Sequence, residues 1–306
     1  MLTINKSPIT IGITAFNEGR LIVEAWESVL NQTSDNWEAV MVLDGGGDQE
    51  TRKYFESIQH PKLRKYSYTL NQRIYPCRTK AIEMAETEWY FQLDADDLLP
   101  SNAIDLVINV IQNNPNIEFI AGGCRHFSLG PDQIRYPQHN PEILTISPLF
   151  FAQAPITKKL FKKLGGYFIP NHFVHSDWDF WLSVYEREIK GYFIKKVIYE
   201  RRRRSDSVTW QHLDEIDKSL DSIIIRHPLY FNSKNRKQRA KYNVYEKLAR
   251  NYKTIGKRNK AAENAKKALK YGDFITAFST IFQEQEMNYI RYLLRRLGRY
   301  IHWQKN

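Results

Sequence analysis

Trp89-Tyr-Phe-Gln-Leu-Asp-Ala-Asp-Asp-Leu-Leu-Pro100 is the stretch that decides how the chain folds. The run from Trp89 to Leu93 is apolar or aromatic except for Gln92, which suits a strand covered on both faces in a mostly parallel sheet. Asp94, Asp96 and Asp97 follow where that strand should end. In open α/β sheets ligands bind in the crevice outside the carboxyl ends of the strands. Two acids spaced Asp-x-Asp there can aim oxygens at one hard divalent cation, and such a cation can hold a diphosphate. The plainer alternative is an acidic turn in which Asp97 or Ser101 caps a helix starting near Asn102.

Upstream, Ile9 to Ala15 reads as a first strand and Gly19 to Asn31 as a helix with Leu21, Ile22, Ala25, Val29 and Leu30 on its apolar side. Trp37 to Leu43 is a second strand running into Asp44-Gly45-Gly46-Gly47-Asp48, where glycines allow a ligand close to the main chain. Leu63 to Tyr68 is a weaker third strand and Thr79 to Ala85 a helix. Strand and helix thus alternate at short intervals, which predicts βαβ units.

Downstream, the pattern predicts a helix over Asn102 to Asn113, a strand over Ile117 to Ala121, and hairpin or loop from Arg125 to Pro155, where Gly130-Pro131 and Pro137 interrupt regular structure. Short helices are expected over Lys158 to Leu164, stopped by Gly165-Gly166, and over Asp177 to Glu186. A strand from Gly191 to Tyr199 then leads into four successive arginines, Arg201 to Arg204.

The 306 residues, 42% of them hydrophobic, suffice for one large domain and an appendage. Cys77 and Cys124 form no disulfide framework or metal spacing, in keeping with a reducing cytosol. Met1 to Pro8 carries no signal-peptide pattern, and no apolar run approaches the roughly 20 residues that span a bilayer. Charge is unevenly placed. Residues 226–306 carry +15, whereas the rest of the chain carries −4. A slightly acidic front argues against a nucleic-acid enzyme built round a basic channel, so no nucleic-acid partner is expected.

Four turns gather chemistry along one predicted sheet edge: Thr14-Ala15-Phe16-Asn17-Glu18, Asp44 with its glycines, Arg78 before a helix, and Asp94 to Asp97. Together with His175-Ser176-Asp177-Trp178-Asp179-Phe180-Trp181, these motifs resemble the family-two inverting glycosyltransferases over about Ile9 to Thr209. The resemblance implies an α/β GT-A fold, a Rossmann-like, mostly parallel sheet flanked by helices. It also implies a nucleotide-sugar donor, a UDP-sugar by preference, and a saccharide or lipid-linked hydroxyl acceptor. Thr14, Ala15, Phe16 and Glu18 would line the nucleotide pocket, Phe16 offering a flat stacking face. Asp44 would accept a base N–H, since an ionised carboxylate can only accept. Arg78 would reach toward the nucleotide and Asp94 would hold the ribose. Asp96 would ligate Mn²⁺ or Mg²⁺ on the diphosphate.

By the same resemblance Asp177 is the base that takes the acceptor's proton, with Asp179 as fallback. Ser176 stands where the family usually has Glu. Gly166 and Tyr167 match a Gly-Gly-aromatic turn beside the acceptor, and Trp178 is a candidate sugar platform or a core residue. Arg204 takes the place of a histidine near the metal; it cannot ligate a cation but can neutralise diphosphate charge.

The expected organisation is a glycosyltransferase domain over residues 1–225, with a nucleotide half of about 1–122 and an acceptor half of about 123–225, followed by a basic helical region over 226–306. In that region Tyr242 to Tyr252 and Ala261 to Leu269 form a helical hairpin like a single tetratricopeptide unit, read as a cap on the main domain. Residues 287–303 combine an apolar stripe, arginines and aromatics, which suits a helix lying on an anionic membrane surface or packing on the protein itself. The expected location is cytoplasmic, with peripheral attachment to the inner face of the membrane. Two rival readings are a catalytically silent scaffold that binds partners through this tail, and a nucleotidyltransferase. The second would want a Gly-rich basic loop after the first strand, which Thr14 to Glu18 does not supply.

Overall fold

The computed structural model describes residues 8–137, 140–145, 153–169, 175–204 and 213–272. These residues form two compact units, one of residues 8–141, 153–169 and 175–204, the other of residues 142–145 and 213–272. The stretch 287–303, on which an interfacial helix is expected, lies outside the described residues.

The first unit is built on β1 (Ile9–Ala15), α1 (Leu21–Leu30), β2 (Trp37–Leu43), α2 (Gln49–Ser57), β3 (Leu63–Ser67), α3 (Ile74–Met84), β4 (Trp89–Asp94) and α4 (Ala103–Asn113). It continues through β5 (Phe119–Phe127), β6 (Gln133–Arg135), β7 (Ile156–Thr157), α5 (Lys158–Lys163), α6 (Ser176–Glu186) and β8 (Gly191–Arg202). The strand order is β3-β2-β1-β4-β7-β5-β6, with β8 on β5. β3, β2, β1 and β4 run parallel, β7 is antiparallel to β4 and β5, and β8 is parallel to β5.

The register sets Ala15 beside Leu43 and Thr14 beside Asp94, so the turns after β1, β2 and β4 open along one edge. Pleating then sorts the side chains. Trp89, Phe91 and Leu93 join Ile9, Ile11, Ile13, Ala39 and Met41 in a core that receives Ile22, Ala25 and Val29 of α1 and Ile104 and Val107 of α4. On the opposite pleat Gln92 is fully covered and satisfied: Tyr90 Oη donates to its Oε1 at 2.6 Å, and its Nε2 donates to Thr14 Oγ1 at 3.0 Å. The single polar residue in the buried strand is therefore one link in a chain of hydrogen bonds that leads to Asp94.

Four elements differ from their sequence expectation. α3 begins five residues earlier than expected because Pro76 sits in its first turn, where a missing N–H costs nothing. α2 has only Thr51 and Phe55 buried, too few for a periodicity signal; it is started by Asp48, whose side chain accepts the Thr51 N–H at 2.6 Å. β5 and β8 extend to Phe127 and Arg202 because they pair with one another along their length, with irregular register between Ala121 and Cys124. The expected hairpin appears in part as β5 with β6.

In the second unit, helices α7 (Leu213–Arg226), α8 (Lys234–Thr254) and α9 (Arg258–Leu269) pack together. The helical part thus begins earlier than residue 226, since α7 buries Leu213, Ile216, Leu220 and Ile223 and offers Asp217 to Tyr245 Oη of α8 at 2.6 Å. Gly256, at φ +75°, ends α8 in a left-handed turn and lets α9 fold back through Ala261, Ala265 and Ala268. No helix among the described residues is long and apolar enough to cross a membrane.

Candidate active site

The loop Asp44-Gly-Gly-Gly-Asp48 brings main chains together. A methyl on Gly45 would lie 2.3 Å from the Leu70 backbone, and one on Gly47 would lie 2.1 Å from the Phe16 carbonyl oxygen. These glycines therefore admit neighbouring protein, where a ligand was expected. Asp44 itself is 4% exposed. It accepts the backbone N–H groups of Gly45 at 2.8 Å, Gln72 at 2.7 Å and Arg73 at 2.9 Å, the last two from the entry to α3. Arg73 takes φ +72°, a conformation that strains a residue with a Cβ and that serves to turn its N–H onto Asp44.

The three acids of the β4 turn meet three different fates. Asp94 faces inward: both its oxygens accept from Arg78 Nη2, at 2.8 and 2.6 Å, and Gln153 Nε2 donates at 2.6 Å. Burial opposes its charge, yet the Arg78 guanidinium and the Arg78 and Gln153 hydrogen bonds together hold the carboxyl below its usual range. Arg78, the residue expected to reach toward the nucleotide, is buried and turned onto Asp94. Asp97 is 2% exposed and pins the turn to β8, accepting from Tyr199 Oη at 2.8 Å and from the Arg202 N–H at 2.7 Å. Burial, then the charges of Asp96 and Asp94, push it well above an ordinary carboxylate. The Leu98 and Glu200 backbones complete this clamp with two bonds of 2.9 Å. α4 starts without a side-chain cap, so capping is not the task of Asp97.

Asp96 keeps the most open side chain of the three, at 26%, with Arg204 Nη1 at 3.4 Å. Burial and Asp94 raise its pKa against the pull of Arg204. Glu18 stands in the same field. Burial, despite the Phe16 N–H donated to its Oε2 at 2.5 Å, and the Asp96 charge push it up to about 7. Among the described residues no group of three His, Cys, Asp or Glu side chains is arranged for a metal. A single carboxylate fits a cation whose other ligands are substrate oxygens, and Asp96, paired with Arg204 at 3.4 Å, is the side chain that could supply it.

In the same unit, Asp177 lies in the first turn of α6. Tyr75 Oη of α3 donates to its Oδ1 at 2.9 Å, as does the Trp178 N–H. The Tyr167 ring packs tilted against Tyr75 at 5.2 Å and Phe180 at 5.7 Å and edge-on against Phe161 at 5.2 Å. Gly165 and Gly166, at φ +82° and +74°, close α5 through bonds to the Lys162 and Phe161 carbonyls, which sets Tyr167 in that place. Trp178 and Trp181 are 1% exposed, and Trp178 is thus a core residue with no face for a sugar. Asp179, the fallback base, is likewise buried. Ser176, where Glu is usual, donates to the Phe168 carbonyl at 2.7 Å. Phe16 and Glu18 are half-buried, and Ala15 and Thr14 are buried, Thr14 receiving the Gln92 bond. Tyr75, Gln153 and Tyr199 were not foreseen as contributors.

A mixed sheet flanked by helices, with carboxylates at the ends of β2 and β4 and at the start of α6, is an α/β domain of the GT-A kind. Residues 10–177, more than half the chain, match the model of glycosyl transferase family 2, and the chain belongs to that family. It is 25% identical over 264 residues to a chondroitin synthase of Escherichia coli, covering 80% of this chain and 37% of that one. The chain spans about a third of the length of curated relatives such as this. Its fold is similar to that of S. aureus TarS 1–349 in complex with UDP-GlcNAc (TM-score 0.55, 15% identity, 84% of this chain and 88% of that chain). It is also similar to the mannosyltransferase PcManGT from Pyrobaculum calidifontis in complex with GDP-Man and Mn²⁺ (TM-score 0.54, 16% identity, 88% and 77%).

Proposed function

We propose that the chain transfers a sugar, with inversion, from a nucleotide sugar to a hydroxyl of a saccharide or lipid-linked acceptor. The observation that carries this reading is that α3 touches three of the four carboxylates given a role in it. Its entry amides hold Asp44, Arg78 holds Asp94 and Tyr75 holds Asp177, although these acids lie 133 positions apart along the chain. Asp44 serves a base N–H, which favours uracil. Asp94, oriented by Arg78, serves the ribose. Asp96 would hold Mn²⁺ or Mg²⁺, which when bound neutralises the departing diphosphate; Arg204 adds positive charge at the same place. Asp177 takes the acceptor's proton as its oxygen attacks the anomeric carbon.

The relatives support a role in building surface polysaccharide, since a chondroitin synthase and a teichoic acid poly(glycerol phosphate) polymerase of Staphylococcus epidermidis are among them. Incubating the protein with UDP-glucose, UDP-galactose, their N-acetyl forms and GDP-mannose in Mn²⁺ and following nucleotide release identifies the donor. Asp177→Asn is expected to lower turnover by roughly 10²–10⁴-fold with UDP affinity by calorimetry retained. Turnover unchanged in that variant removes Asp177 from the mechanism.

A further inference from the structure

We propose that Tyr75 is a positioning residue for the base, fixing Asp177 by its Oδ1 so that Oδ2 is the oxygen presented to the acceptor hydroxyl. The proposal rests on the reading of Asp177 as base. Among the described residues both hydrogen bonds of Asp177 fall on Oδ1, from Tyr75 Oη and from the Trp178 N–H, each at 2.9 Å. Two donors on one oxygen fix the carboxylate plane and leave the other oxygen for chemistry.

Tyr75 is itself held. It is 7% exposed, its ring lies 5.6 Å from the Arg78 guanidinium carbon and 5.2 Å from the Tyr167 ring, and its backbone is in the first turn of α3. Burial, and then the Asp177 charge, keep its hydroxyl protonated far above neutral pH, so it is a donor whenever Asp177 is ionised. The other charged or titratable groups about the pair are Arg78 on α3, Tyr167 after α5, and His175 and Asp179 flanking Asp177. Neither tyrosine titrates near neutrality, which leaves the Tyr75 bond as the adjustable influence on the base from α3.

The consequence is geometric. α3 is the helix that also holds Asp44 and Asp94, so the placement of the base is tied to the placement of the two carboxylates proposed for the nucleoside. A base anchored to its own helix alone would lack that tie.

Tyr75→Phe in the full chain removes one oxygen and keeps the ring contacts. With the donor that wild type consumes, kcat is expected to fall about ten- to a hundredfold, the loss of one hydrogen bond to a charged group. The acid limb of the kcat–pH profile should move up by about one unit, because the ionised base loses a donor. Donor KM and calorimetric UDP affinity should stay within about twofold. Replacing Tyr75 by 3-fluorotyrosine, a stronger donor of the same shape, should move the acid limb the other way. An unmoved acid limb in both variants, or a parallel loss of UDP affinity, overturns the positioning role and leaves the transferase reading standing. Wild-type turnover by Asp177→Asn, or no turnover of any donor by wild type, overturns the reading underneath, and the proposal with it.

Discussion

Replacing Arg78 by Met should cost more at pH 7.5 than at pH 4.5, and the size of the gap follows from the surroundings of Asp94. Arg78 and Asp94 have side-chain exposures of 6% and 18%, and the guanidinium gives both short bonds from one nitrogen. In the wild type Asp94 titrates below its unfolded value of about 3.9, so its stabilisation is present above that value and is lost as pH falls through the folded pKa. In the variant Asp94 stays buried without a cation, and burial then raises its folded pKa above the unfolded one. That form is most stable below about pH 4 and loses stability as pH rises. The two curves diverge upward, toward about 3–5 kcal/mol at neutral pH, the cost of a buried charge deprived of its partner. Adding Asp94→Leu should recover much of the loss, since no charge is then left uncompensated. Urea unfolding followed by tryptophan fluorescence at the two pH values reads each term. A gap below about 1 kcal/mol at pH 7.5, or one equal at both pH values, refutes the claim that Arg78 exists to keep Asp94 ionised.

Glu18→Gln should flatten part of the pH dependence of stability. Glu18 rises from 4.5 to about 7 on folding, so the wild type loses stability as pH climbs between these values, by up to roughly 3 kcal/mol before allowance for solvent reaching this half-buried group. The variant should match wild type near pH 4 and exceed it at pH 8 in thermal unfolding; parallel profiles would rule out a protonated Glu18. Asp96→Ala should weaken UDP binding and remove its dependence on Mn²⁺ in calorimetry, and wild-type affinity unaltered by EDTA would exclude Asp96 as a cation ligand.

The sheet edge was legible because its signals are local: buried strands of the right length, with Asp44 directly after β2 and Asp94 ending β4. Pleat alternation in β4 even orders the acids, since Asp94 follows Tyr90 and Gln92 on the α3 side. What three adjacent aspartates do was not legible. Their fates depend on Arg78, Arg204 and Tyr199, and of these Tyr199 arrives from β8, more than a hundred residues on. Tyr75 had a local signal that went unread: it stands three residues before Arg78, on the same helical face, but Pro76 between them reads as a break when it is a first-turn residue. With α3 started at Ile74, Asp44, Asp94 and Asp177 cease to be three motifs and become the ligands of one helix. A substitution that shifts α3 should then disturb all three together, whereas a change at any one acid leaves the other two in place. That asymmetry is the mark of a site assembled around a shared support, not from independent turns.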